Sequence, residues 1–297
     1  FEFKHKRGNS DKLQGTIRMG APEFASTFEG PLSNNGKTTF LVSARRSYLQ
    51  FLFHLLDLPI RPNYWDYQFK VTHSIDSKTT LTFLGVGAID EFTFAAPRNA
   101  TPQKLYALNA SPSINQWSYT MGMTLKRLIK KGYWNLALSK NNLYNVNEKY
   151  ENNLDPNKGE KTFDYNSNDI GNTLRWDISK SLLGIKFTTG FNITDINYDN
   201  STYQLLKYNS LFTNNNPLQL GTKTYIRYSS SFNYKKYGAF FQMGKRAFNN
   251  KLGISAGIRK DGNTFTNTGN QLFKQISPRI GISLVLTDQL TWNASIG

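Results

Sequence analysis

The residues whose types and spacing suit chemistry are cations. Arg45, Lys70, Arg175, Lys186, Arg259 and Arg279 each fall on the polar parity of an alternating segment. Cations repeated at every second position line one face of a strand, where they can pair with carboxylates or hold an anionic ligand. The plainer reading is a solvated polar wall with no dedicated ligand. Asp177 shares the parity of Arg175, so a local ion pair is as well founded there as a binding role. The three histidines, His5, His54 and His73, have no second ligand at metal spacing, and no metal or cofactor site is expected. The sequence has no Gly-rich phosphate loop, no Gly-x-Ser-x-Gly elbow and no paired-carboxylate motif, so no catalytic residue is nominated and the chain does not read as an enzyme.

Strands must position these cations, and Gln116 to Val146 shows how. Trp117, Tyr119, Met121, Met123 and Leu125 alternate with Gln116, Ser118, Thr120, Gly122, Thr124 and Lys126. A turn at Lys130-Lys131-Gly132 follows, and Trp134, Leu136 and Leu138 resume the apolar face. The period of two predicts a hairpin with two unlike faces. In a soluble sandwich the apolar face is the core. In a membrane barrel it is the outside, and the polar face looks into a wet lumen. Trp65, Trp117, Trp134, Trp176 and Trp292 all fall on the apolar parity, as residues of an aromatic girdle do. Stacking platforms for sugars or bases are the competing reading of these five.

Composition narrows the classes. No run approaches the ~20 apolar residues of a membrane helix, whereas a strand barrel hides its apolar residues at alternate positions and fits 38% hydrophobic content. The absence of cysteine excludes thiolate metal sites, cysteine nucleophiles and disulfides. A net charge of +16 invites a nucleic-acid reading, but the basic residues come in short pairs such as Lys130-Lys131 and Lys235-Lys236, without a recognition motif. No nucleic-acid partner is expected. An anionic surface such as lipopolysaccharide suits the charge equally well.

In chain order, Phe1 to Arg7 reads as a short strand and Lys12 to Leu32 as one long extended stretch, with a register-shifting bulge at Pro22. Tyr48 to Leu58 reads as a short helix or packed loop ended by Pro59. Short connections at about 33–37, 76–78, 129–132, 180–182, 247–250 and 287–289 interleave with mostly long ones at about 47–63, 91–115, 147–164, 199–222 and 261–275. That sorting is what an up-and-down transmembrane barrel shows, with turns on one side of the membrane and long loops on the other. It requires Lys223 to Arg246 to be one strand, although Lys235-Lys236-Tyr237-Gly238 also reads as a turn. The count is then about 13 antiparallel strands, an incomplete part of a larger all-β barrel. Both ends fall inside strand patterns, so a longer parent chain is expected.

Glu29-Gly30-Pro31-Leu32 followed by Lys37-Thr38-Thr39-Phe40-Leu41-Val42-Ser43-Ala44-Arg45-Arg46-Ser47-Tyr48-Leu49 resembles the second and third barrel strands of TonB-dependent outer-membrane receptors. Gly257-Ile258-Arg259-Lys260-Asp261, Ser277-Pro278-Arg279-Ile280-Gly281 and Ala294-Ser295-Ile296-Gly297 resemble later strand motifs of that family, in matching order over essentially the whole chain. The resemblance implies a barrel of 22 strands around an N-terminal plug, with Phe1 to Arg7 on the first barrel strand, and 1–297 as barrel alone, without the plug.

By that resemblance the expected function is TonB-dependent uptake of a scarce nutrient, a metal-siderophore, vitamin or glycan, across a bacterial outer membrane. The lumen cations would then meet acids of the plug or an anionic cargo. The implied partners are outer-membrane lipid and lipopolysaccharide, the plug, TonB through the plug, a small nutrient ligand and a surface lipoprotein. An adhesin or structural barrel that transports nothing is the alternative from another class, and a soluble all-β binding protein is the third.

Overall fold

Each strand pairs with its neighbours in sequence. In the computed structural model the described residues, all except 1–4, 155–158, 207–223 and 272–274, form one antiparallel sheet of 13 strands in the order β1 to β13. The strands are β1 (Gln14–Met19), β2 (Glu23–Pro31), β3 (Thr38–Ser47), β4 (Ile60–Ser74), β5 (Thr79–Phe94), β6 (Ser113–Ile129) and β7 (Gly132–Tyr150). They continue with β8 (Lys161–Leu182), β9 (Ile185–Leu206), β10 (Thr224–Ala247), β11 (Leu252–Asn263), β12 (Ile276–Val285) and β13 (Thr291–Ile296). Two short helices, α1 (Leu49–Leu55) and α2 (Pro102–Ala110), lie in connections at one end of the sheet.

Among the described residues no second sheet packs on this one, which decides between sandwich and barrel. Among the described residues only Leu41, Leu108 and Ile196 are buried hydrophobics. Trp117, Met121, Met123, Phe83, Ile193 and Phe241 lie 36 to 43% exposed on one face. A soluble sheet of this size would bury that face. On β6 the face runs from Trp117 to Leu125, and at ~3.3 Å per residue with strands tilted ~40° it stands about 20 Å tall, near the outward apolar band of a membrane barrel. Glycines complete the face where rings need room. A Cβ at Gly85 would lie 2.2 Å from the Phe69 ring, and one at Gly87 would lie 2.4 Å from the Tyr67 ring. The two rings therefore lie across β5, and Phe69 meets Phe83 at 5.3 Å.

Turns at 32–37, 75–78, 130–131, 183–184, 248–251 and 286–290 sit at one end of the sheet, and the helices and longer connections sit at the other. The sorted loop lengths are thus observed, with one exception. Residues 20–22 make a tight turn between β1 and β2 at the long-loop end, closed by Gly20 N–H donating to Glu23 O at 2.9 Å.

That turn corrects two expectations. Lys12 to Leu32 is a hairpin with Pro22 in its turn, since a tight turn and a bulge both flip the apparent parity of the segment. His5–Arg7 are not in a strand, and the first strand is β1 instead; the rest of the predicted first strand, Phe1–Lys4, lies outside the described residues. Lys223 to Arg246 is one strand from Thr224 onward: β10 pairs with β9 without a bulge from Thr224 to Lys245. Four long loops are shorter than the sequence suggested. β5 continues to Phe94 and α2 occupies part of the next connection, β7 and β8 reach Tyr150 and Lys161, and β9 and β11 reach Leu206 and Asn263. Residues 147–149, 199–202 and 261–263 look like loops because both of their faces are polar, which removes the period-two signal while leaving the ladder intact, whereas β5 carries Phe92 and Phe94 past the Asp90-Glu91 pair that reads as its end.

Candidate functional site

Partners opposite one another in an antiparallel ladder share a face, so the register assigns every side chain to a side. Arg45 lies opposite Asp66, Lys70 opposite Leu41 and Leu84, Arg175 opposite Ala137 and Asn192, Lys186 opposite Ser181 and Gly244, Arg259 opposite Phe240 and Ser277, and Arg279 opposite Gly257. Followed across the sheet, these pairings put all six cations on one face. The five tryptophans follow the other face: Trp65 opposite Ile89, Trp117 opposite Ile89 and Tyr144, Trp134 opposite Ile178, Trp176 opposite Leu136 and Phe191, and Trp292 opposite Leu284.

The cations divide by what they touch. Arg45 Nε lies 3.0 and 2.9 Å from the Asp66 carboxylate oxygens, its Nη2 lies 2.6 Å from Oδ2, and its Nη1 donates to Glu23 at 3.1 Å. Its donors are engaged within the wall. Arg259 makes a two-point contact with Asp261 at 2.6 and 2.7 Å, and Arg175 pairs with Asp177 at 3.3 Å. Lys70 donates to the carbonyls of His5 and Lys6 at 2.8 and 3.1 Å, which lays the chain before β1 along the inner face. Among the described residues Lys186 and Arg279 have no side-chain partner, so they are the two members of the set left open to a ligand.

The tryptophans sit at different depths. Trp134 and Trp292 stand beside short turns, while Trp65 and Trp117 stand toward the long-loop end, where the Arg46 guanidinium lies 4.3 Å from the Trp65 ring centroid. Trp176 has Leu174 and Ile178 along its own strand face, inside the apolar stretch rather than at its edge.

The upper limit of that stretch is in register over four strands. Leu138, Leu174, Ile193 and Tyr237 form its last row, and Lys140, Asn172, Asp195 and Lys235 form the next. Lys235 Nζ pairs with Asp195 at 2.6 Å, and in the following row Asn233 donates to Asn197 at 2.6 Å. On these four strands the face thus changes from Leu, Ile and Tyr to Lys, Asn and Asp within two residues, with Ile170 the one apolar side chain in the row of Asn197 and Asn233, and this is the limit of the apolar stretch. Beyond it the inner face of the same strands becomes aromatic. Tyr198 and Phe232 stack at 6.1 Å with 8° between planes, and Phe265 from the β11–β12 connection meets Phe232 edge-on at 5.6 Å.

The connections at this end hold one another. Asp57, after α1, accepts the backbone N–H groups of Arg98 and Asn99 at 2.5 and 3.1 Å and the Lys104 ammonium at 2.5 Å. The hydrogen bond from Lys104, then those from the two amides, hold the Asp57 carboxyl down at about 2. Thr101 caps α2 by accepting from Lys104 N–H at 3.4 Å, with Pro102 at the first helical position. His54 stands between the guanidiniums of Arg61 and Arg98, at 3.3 and 3.0 Å. His73 contacts Thr38 Oγ1 at 2.8 Å near the turn end of β4, His54 lies in α1 at the opposite end of the sheet, and no group of three metal-ligating side chains occurs among the described residues. The sequence reading missed α2 and the Asp57 link; Thr101-Pro102 was the available signal for the helix, but nothing local announces a contact between two loops more than forty residues apart.

No protein-family model matches the chain, and no curated protein does. Solved structures do. The pyoverdine outer-membrane receptor FpvA of Pseudomonas aeruginosa, solved bound to pyoverdine, superposes with a TM-score of 0.64 at 15% identity, over 99% of this chain and 46% of that one. A mutant of the ferric enterobactin receptor PfeA of P. aeruginosa gives 0.60 at 16% identity over 95% of this chain and 42% of that one. The alcaligin outer-membrane receptor FauA of Bordetella pertussis gives 0.57 at 12% identity, again over 95% and 42%. The chain spans less than half the length of these structures. Its fold is that of the barrel wall of TonB-dependent outer-membrane receptors, in part.

Proposed function

We propose that this chain forms part of the barrel wall of an outer-membrane receptor that takes up a scarce nutrient with energy delivered through TonB. The observation that carries the reading is the two-sided sheet: one face apolar to a sharp, in-register limit, the other lined by cations, with turns and long connections sorted to opposite ends. Such a wall holds itself in lipid by its outer face and bounds a hydrated passage with its inner one. The wall's part is physical rather than chemical.

In this reading 1–297 is barrel, and a plug with a TonB contact belongs to the whole receptor. Lys186 and Arg279 are the inner cations available to the plug or to an anionic cargo, and Arg45, Arg175 and Arg259 keep the wall in shape through their own carboxylates. Outward Arg46, Lys140 and Lys235 stand at the level of lipid and lipopolysaccharide headgroups. The long connections, including α1, α2 and the residues 207–222 that lie outside the described set, are where cargo is first met and where a surface lipoprotein would dock. The solved structures named above include receptors for pyoverdine and enterobactin, which supports a metal-siderophore over a vitamin or glycan.

The test is growth of a strain deleted for the full-length gene on defined ferric-siderophore, vitamin and glycan sources, with outer-membrane fractionation of the protein. Loss of growth on one source, restored by the gene but not by a version with its TonB contact removed, is expected. Unimpaired growth on every source, with the protein still in the outer membrane, would favour the adhesin reading.

A further inference from the structure

We propose that Arg61, Arg98 and the imidazole of His54 form a site, on the outer side of the wall, for a phosphate carried by a glycolipid of the outer leaflet. This deepens the receptor reading and rests on its placement of the membrane.

The first observation is that donors from three elements face one another with no anion between them. His54, in α1, has Nδ1 3.3 Å from Arg61 Nη2 and Nε2 3.0 Å from Arg98 Nη2. A neutral imidazole has one acceptor nitrogen and a protonated one has none, so at least one of the two guanidiniums meets a ring N–H. Asp57 does not relieve this, because its carboxylate is taken up by the Lys104 ammonium and by the backbone N–H groups of Arg98 and Asn99. A phosphate accepting from both guanidiniums would remove the conflict.

The second observation is which arginines lack a carboxylate, and on which side they stand. Arg45, Arg175 and Arg259, on the inner face, each pair with one. Among the described residues Arg46, Arg61 and Arg98 pair with none: Arg46 lies over the Trp65 ring, Arg61 donates to the carbonyls of Leu58 and Ile60, and the Arg98 side chain reaches only His54. The register sets Arg46 opposite Trp65, and from Trp65 the same face of β4 continues through Asn63 to Arg61 without a bulge. Both arginines are therefore on the outer face, which cargo in the passage does not meet.

Position decides which anion. On β4 the apolar outer face runs from Val71 through Phe69 and Tyr67 to Trp65 and ends at Asn63. Arg61 is four residues beyond Trp65, which at ~3.3 Å per residue and a tilt of ~40° puts it about 10 Å above that ring. Tryptophans mark the headgroup level, so Arg61 stands among lipid phosphates and the sugars that carry them. Beside it α1 and its end expose Phe51, Leu55 and Leu56, at 60 to 62%. Cations next to exposed apolar side chains at this height make up an element that lies on an anionic lipid surface. Phosphate free in solution would have no use for the apolar part, so a lipid is the source the surface fits.

Binding is measured on the full-length receptor in a nonionic detergent with three probes: bisphosphorylated lipid A, the same lipid A dephosphorylated, and inorganic phosphate. Lipid A is expected to bind about tenfold tighter than its dephosphorylated form, and to lose most of that advantage between low salt and about 0.5 M, where exposed charges are screened. Arg98→Gln should weaken lipid A about tenfold and leave the dephosphorylated form unchanged. That variant keeps the connection docked, because Asp57 is held by the backbone N–H of Arg98 and not by its side chain. Lys130→Gln, in a turn at the other end of the sheet, is the control and should change neither lipid. The inference is overturned if neither lipid binds, if the two bind alike, if Arg98→Gln binds lipid A as the parent does, if salt has no effect, or if inorganic phosphate binds as tightly as lipid A. Any of these results with Phe191→Cys still shielded from a charged maleimide in liposomes strikes the site alone, whereas reaction of Phe191→Cys strikes the placement of the membrane.

Discussion

A single carboxylate joins the two helical connections at the loop end. Because Asp57 is held at about 2, below its ordinary value of 3.8, its contribution is complete above pH ~4 and is lost as pH falls through about 2. Pepsin, which cuts in this range, should therefore leave residues 95–105 intact at pH 4 and open them near pH 2. Asp57→Asn keeps the shape but discards the charge that holds Lys104, and should raise tryptic cleavage at Arg98 and Lys104 severalfold at neutral pH. Equal cleavage of variant and parent would show that other contacts dock the connection. At the same scale the six inner cations were identifiable in the sequence as a set, because parity alone assigns a face. Their separation into engaged and open members was not, because Glu23 and Asp66, which hold Arg45, come from two other strands.

Among elements, β6 and β10 carry the sharpest consequences. Met123 lies mid-band on the outer face of β6, and its neighbour Thr124 faces inward between Thr82 and Ala137. Met123→Arg should cost about 2–4 kcal/mol of stability in a bilayer, and Thr124→Arg less than about 1. Guanidinium unfolding in liposomes compares them, and equal costs would contradict the assignment of faces. β10 is one strand with an edge that outruns β11. Lys235 turns its N–H and C=O toward Thr264, so with no bulge the other odd-numbered residues back to Tyr225 turn theirs to the same, open side. Ser229→Pro removes only an unpaired donor and should cost under about 1 kcal/mol. Gly238→Pro removes a ladder bond to β9 within the band and should cost about 3 kcal/mol or more. Equal tolerance of both would mean that β10 is not one continuous ladder.

For the whole molecule, the position of the membrane is the claim that everything else uses. The chain has no cysteine, so single cysteines report on it without background. In liposomes Phe191→Cys and Phe241→Cys should resist a charged maleimide, while Asn172→Cys and Asn197→Cys, beyond the limit of the band, should react fully. Protection of the second pair, or reaction of the first, would move or abolish the proposed boundary. The protein should also leave outer membranes only with detergent, because the exposed face of Trp117, Met121 and Met123 has no other cover.

The sequence by itself determined the strands, their two faces and the sorting of loop lengths, because a period of two and the turn residues are local properties that neighbours along the chain express directly. It mistook the β1–β2 turn for a bulge and placed the first strand at Phe1–Arg7, because a flip of parity looks the same for a turn and a bulge until pairing is seen. It also lost the strands wherever both faces were polar. Only the tertiary structure decided that, among the described residues, no second sheet covers the apolar face, that the hydrophobic limit keeps one register row across four strands, and that Phe265 closes over Phe232. Those facts depend on register between segments far apart in the chain, which is set by hydrogen bonding across the ladder and not by any residue's own neighbours.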